Sequence, residues 1–172
     1  MPSANNIQRF TRLSLFVTMA LVLSYMERFL PILPAFPGIK LGLANIITFI
    51  VLIMYSWKDA FFVLIARVTL LSFFSASGIS FLYSMSGGLM SLMAMTFALK
   101  YLGNTFSLIG ISVIGAFMHN TAQMLVLAAV LRSFFIPLSY YPILVLSAVL
   151  TGILTGYIVA NLHRHLEKLG QS

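Results

Sequence analysis

With 60% hydrophobic residues, 8% charged residues and a mean hydropathy of +1.04, this 172-residue chain lacks the polar side chains needed to cover a water-soluble globule. Composition excludes a soluble domain and leaves a single integral membrane domain over residues 1–172. The net charge of +7 comes from basic residues scattered singly at the ends of apolar runs, which fits lipid headgroups rather than nucleic acid, and the absence of cysteine removes disulfides, thiolate metal sites and a cysteine nucleophile.

Six membrane spans are expected in chain order. A polar, Arg-containing start leads into span one, residues 13–28, closed by Glu27 and Arg28. No small-residue cleavage site follows it, so this run is expected to be retained rather than removed as a signal. Pro31, Pro34, Pro37 and Gly38 then predict an extended or turned loop, because proline donates no helical hydrogen bond and restricts the residue before it. Span two is predicted over 41–57 and ends at Lys58 and Asp59; span three covers 60–77, after a tight turn. Span four, 81–99, carries Ser84, Ser86, Gly87, Gly88 and Ser91 in its first half, where the helix is expected to unwind. Span five, 105–131, is long enough to cross with tilt or a kink. Span six covers 138–162 and ends before His163, Arg164 and His165.

An even number of spans puts both termini on one side. Arg9, Arg12, Lys58, Lys100, Arg164 and Lys168 collect there, against Arg28, Lys40 and Arg132 on the other, so the termini are expected to be cytoplasmic. That orientation places Glu27, Lys40, Asn45, the Ser84, Ser86, Gly87 and Ser91 segment, His119, Asn120 and Gln123 at one depth in the outer half. His119 and Gln123 stand four apart on a helix and Asn120 and Gln123 three apart, so HNTAQ can aim polar side chains into one space. Polar groups at membrane depth are costly and usually kept for function, although interhelical hydrogen bonding is the bland use of each one. Together they predict an outward small-molecule pocket beneath the first loop. Arg67 is placed nearer the cytoplasmic end of span three, where packing, snorkelling to the headgroups and a pairing role are all open to it. His119 has no second imidazole at its end of the bundle, and neither a metal nor another cofactor is expected.

Small residues at Ala148, Gly152, Gly156 and Ala160 repeat every four along span six, a ridge that admits another helix closely. Ala20 and Ser24 form a shorter version on span one, where it can serve a partner.

The order Glu27, PAFPGIKLGLAN (residues 34–45), Arg67, SMSGGLMS (84–91) and GISVIGAFMHNTAQ (110–123) resembles the Gx transporter family, whose members are often labelled heptaprenyl diphosphate synthase component I. That family is in turn similar to the substrate-binding S components of energy-coupling factor vitamin transporters. The resemblance implies an all-α, six-helix S-component-like bundle with cytoplasmic termini, a pocket covered by the first loop, and a transmembrane coupling subunit with its ATPases as partner, met through Ala20 and Ser24. It further implies a bacterial cytoplasmic membrane and a small amphipathic ligand such as a vitamin, flavin or quinone or isoprenoid precursor. The alternative it carries is a non-catalytic membrane partner, component I of a heptaprenyl diphosphate synthase or of a quinone pathway. Prenyl diphosphate synthases hold diphosphate through Mg²⁺ on aspartate-rich motifs. This chain has one aspartate, Asp59, and no nucleophile–base pair, phosphate loop or HExxH helix, so no catalysis is expected of it alone.

Overall fold

The computed structural model describes residues 4–29, 42–75 and 78–170. Among them are six helices and no strand: α1 (Ala4–Met26), followed by a 3-10 turn (Glu27–Phe29), α2 (Asn45–Met54), α3 (Trp57–Ser75), α4 (Gly78–Leu102), α5 (Leu108–Leu131) and α6 (Phe135–Gly170). Four of them, α1, α4, α5 and α6, are long and apolar enough to cross a membrane. The fold is an all-helical, membrane-type bundle. The proline-rich loop with Lys40 lies outside the described residues, as do Leu41 at the start of the second expected span and the end of the third.

The second element differs most from expectation. Its helix has ten residues, about 15 Å at 1.5 Å per residue, roughly half a hydrocarbon core. Tyr55 ends it by leaving the helical region at φ −126° and ψ −96°. Apart from Asn45 and Thr48, NIITFIVLIM is apolar on every side, so it is buried rather than amphipathic. Asn45 to Leu52 are all inaccessible, and α2 touches α1, α3, α4 and α6. Around this inner helix α3 bridges α1 to α4, and α5 packs between α4 and α6.

Helix ends follow local chemistry. Ser56 accepts from the Asp59 backbone N–H at 3.3 Å and donates to its carboxylate at 2.6 Å, a capping arrangement that starts α3 one residue after α2 has turned off. Ser107 caps α5 through the Gly110 N–H. At its far end Arg132 takes the left-handed conformation, and the N–H groups of Arg132 and Ser133 return to the carbonyls of Ala129 and Ala128.

The serine- and glycine-rich stretch of α4 does not unwind; the helix is continuous. A glycine costs a helix about 1 kcal/mol, whereas a backbone group left unpaired in hydrocarbon costs several. The same arithmetic carries α6 through Pro142, and that helix runs past the expected 138–162 to 36 residues. The ridge on α6 is spent inside the bundle: a Cβ at Gly152 would lie 2.6 Å from Val113 Cα, and one at Gly156 2.5 Å from Ile109 Cα. The α5 and α6 backbones therefore meet with no side chain between them.

Charge is segregated along the bundle. The Arg9 guanidinium holds both Asp59 oxygens at 2.6 and 2.8 Å, tying the start of α1 to the start of α3. Lys58 and Lys100 share that end, because Trp57 of α3 and Lys100 of α4 line one groove. Glu27, Asn45 and the end of α5 occupy the other.

Candidate polar site within the bundle

Glu27 begins the site. It is 3% exposed, and its carboxylate accepts the backbone N–H groups of Gly42 and Leu43, the latter at 3.0 Å. Gly42 has φ +82°, a conformation natural to glycine, which turns these N–H groups toward one acceptor just ahead of α2. Ala44, the residue before that helix, offers no side-chain cap. Glu27, from the turn that follows α1, binds the N–H groups of the turn leading into α2, and its negative charge opposes the positive end of the α2 dipole.

From the same turn Asn45 reaches α5. Its Nδ2 lies 3.0 Å from His119 Nδ1, while Gln123 Nε2 lies 2.9 Å from His119 Nε2, so three side chains from two helices form one buried line. Gln123 is wholly inaccessible and His119 only 3% exposed. A neutral imidazole has one N–H and one lone pair, so only one of these amide nitrogens can donate to the ring, and a hydrogen bond at the other ring nitrogen requires that amide to turn its oxygen inward. Gly87 makes room for the ring: a Cβ there would lie 2.7 Å from His119 Cε1. Here the glycine of α4 answers to side-chain space, not to helix breakage.

Arg67 also enters, so of the three roles open to it snorkelling falls away. It is 5% exposed, and its Nη1 approaches Ser24 Oγ at 3.5 Å, the outer limit of a hydrogen bond. Ser24, Glu27, Gly42, Arg67, His119 and Gln123 border one cavity of about 10 Å³, together with Ser84. A second of similar size is bordered by Gly42, Asn45, Ser91, Ser112, Thr151 and Thr155. Each holds about one water. Arg67 borders the first and Ser91 the second, and Arg67 Nε and Ser91 Oγ are buried without a hydrogen-bond partner.

A model of the heptaprenyl diphosphate synthase component I family matches residues 16–162. The chain belongs to that family. The matched span takes in every residue of the polar site, so the site is part of the component I domain and not an appendage to it. No curated protein and no solved structure matches the chain.

Other residues singled out in the sequence fall elsewhere. Asn120 turns to α6, donating to Leu144 O at 2.8 Å and Ser147 Oγ at 3.1 Å. It joins helices and borders neither cavity. Ser86 returns its hydroxyl to Leu82 O at 2.7 Å. Ala20 and Ser24, expected to face a partner, are 0% and 3% exposed, because α1 turns its small residues inward to lie against α3. Arg67 is the member that sequence reasoning left out; its signal was position, near the middle of α3 and too far from either end to snorkel easily. Among the described residues no group of three His, Asp or Glu stands where it could hold a metal ion.

Proposed function

We propose that the protein is a non-catalytic ligand-binding subunit of a bacterial cytoplasmic membrane, an S-component-like bundle of six crossings with cytoplasmic termini. It holds a small amphipathic molecule, of the size of a vitamin, flavin or quinone or isoprenoid precursor, at Glu27, Asn45, Arg67, His119 and Gln123. One observation carries this reading: α1, α2, α3 and α5 each send a buried polar or charged side chain to the same region, and two residues that line the cavities there, Arg67 and Ser91, carry buried atoms without a hydrogen-bond partner. Interhelical hydrogen bonding alone requires pairs, as Asn120 makes with α6. It does not require a glutamate and an arginine side by side with amides and an imidazole. Ser84 and Ser91 belong to the walls, and Lys40 is assigned to the same end by sequence.

The two cavities are far below the roughly 300 Å³ of an ordinary ligand pocket. Binding on this reading opens the bundle at the Glu27 end and trades side-chain pairing for ligand contacts. A molecule that binds the folded chain alone raises its stability by about 2.7 kcal/mol at a hundredfold excess over Kd. Native mass spectrometry of the purified protein identifies what it carries, and thermal unfolding with that molecule restored measures the gain. Gln123→Leu should abolish the gain while the variant still folds; an unchanged gain returns Gln123 to packing.

The tightness of the bundle and the family's description favour a second reading, an accessory membrane partner of a prenyl diphosphate synthase. The sole aspartate supports a non-catalytic part in either case, since Arg9 occupies both of its oxygens. Co-purification with a soluble synthase subunit, and no ligand-dependent stabilisation, would select this alternative.

A further inference from the structure

At the opposite end of the molecule from the polar site, α3 and α4 diverge to leave an open groove of about 410 Å³. Its walls are Phe61 of α3 and Leu89, Leu92, Met93 and Phe97 of α4, and its mouth is Trp57 and Tyr101. Lys100 lines the groove as well, and Lys58 stands beside Trp57. Lys58 Nζ lies 5.9 Å from the centre of the Trp57 ring, and Lys100 Nζ 5.2 Å from that of Tyr101. The neighbouring carboxylate does not neutralise them, because Asp59 is taken by Arg9 and by Ser56 Oγ.

We infer that this groove is a specific site for one phospholipid with an anionic headgroup, its phosphate between Lys58 and Lys100 and one acyl chain along α4. Length supports a lipid over a protein. From Lys100 to Leu89 is about 16 Å along the helix, which matches one leaflet of a 30 Å hydrocarbon core. A partner helix would need a groove running the full thickness. Tryptophan and tyrosine with lysines at one level are the side chains of a membrane interface, and basic recesses between helices suit anionic headgroups. The carbonyl end of α4 repels an anion, but Lys100 sits in its last turn to offset it, and the adjacent start of α3 attracts one. A zwitterionic lipid brings its own cation to two lysines and gains less.

The test uses a property of the composition: Trp57 is the only tryptophan, so the fluorescence of the whole chain reports this groove. The full-length protein is placed in phosphatidylcholine vesicles containing a minor fraction of either phosphatidylglycerol or phosphatidylcholine brominated near the ester end of its chains. Brominated phosphatidylglycerol should quench Trp57 with an apparent association on the order of thirtyfold stronger at low salt, the contribution expected of two lysines at an anionic surface. Lys58→Gln with Lys100→Gln should bring the ratio close to one while quenching by brominated phosphatidylcholine persists, which shows that the groove is still present. Equal quenching of the native chain by both lipids, or a preference that survives the double substitution, overturns the proposal. So does an absence of quenching by either lipid, which would mean that protein covers the groove.

Discussion

His119 shows how narrowly one residue is placed. Its ring fits because Gly87 lacks a Cβ, and both of its nitrogens meet amide groups. Gly87→Ala should therefore resemble His119→Ala in thermal unfolding, each lowering stability by about 2 kcal/mol through amides left without the ring. A harmless Gly87→Ala would show that the ring has other room. A double-mutant cycle with Asn45→Ala and His119→Ala should give a coupling of about 0.6 to 1.7 kcal/mol, the range of interhelical hydrogen bonds in membranes. Much of this was legible in the sequence, since HNTAQ fixes which α5 side chains share a face. What was hidden is which way each neighbour turns. Asn120 is adjacent in sequence yet rotated about 100° round the helix, and that carries it to α6. The role of Arg67 stayed open because depth estimated from sequence carries no information about which helices surround a position.

Among the elements, contact distance separates two kinds of glycine. At Gly156 an added side chain meets Ile109 Cα, which is backbone and cannot step aside, whereas at Gly88 it meets the terminal methyl of Leu64. Gly156→Ala should cost about 1 to 3 kcal/mol through overpacking, and Gly88→Ala less, since a leucine rotamer is cheap to move. Unfolding of the two variants in detergent checks the order; equal losses would show that α6 slides freely on α5. The ridge was visible as a four-residue repeat, and so was the length of α5. The shortness of α2 was not, because the apolar run continues into Trp57 and only the capping of α3 by Ser56 shows where the helix must stop.

For the whole molecule, the charge pattern makes a prediction about sidedness. Lys58 and Lys100 gather at the end where Arg9 holds Asp59, so that end should face the cytoplasm. The connection between α4 and α5 lies there, and that between α5 and α6 lies at the opposite end. The chain has no cysteine, so Ser107→Cys and Ser133→Cys each give a single reporter. In intact cells an impermeant thiol reagent should label Ser133→Cys and leave Ser107→Cys unlabelled until the membrane is opened. The reverse pattern would invert the bundle and put the polar site on the inner face.

The tie from Glu27 to Gly42 and Leu43 has an evolutionary consequence. It joins the two ends of the intervening chain directly, so the spacing of α1 and α2 is set by a carboxylate and two backbone amides, not by whatever sequence runs between them. Lengthening a closed loop costs little, about 0.6 kcal/mol for each doubling. Relatives should therefore keep an acid at the position of Glu27 and a glycine at that of Gly42 together, whatever the length of chain between them.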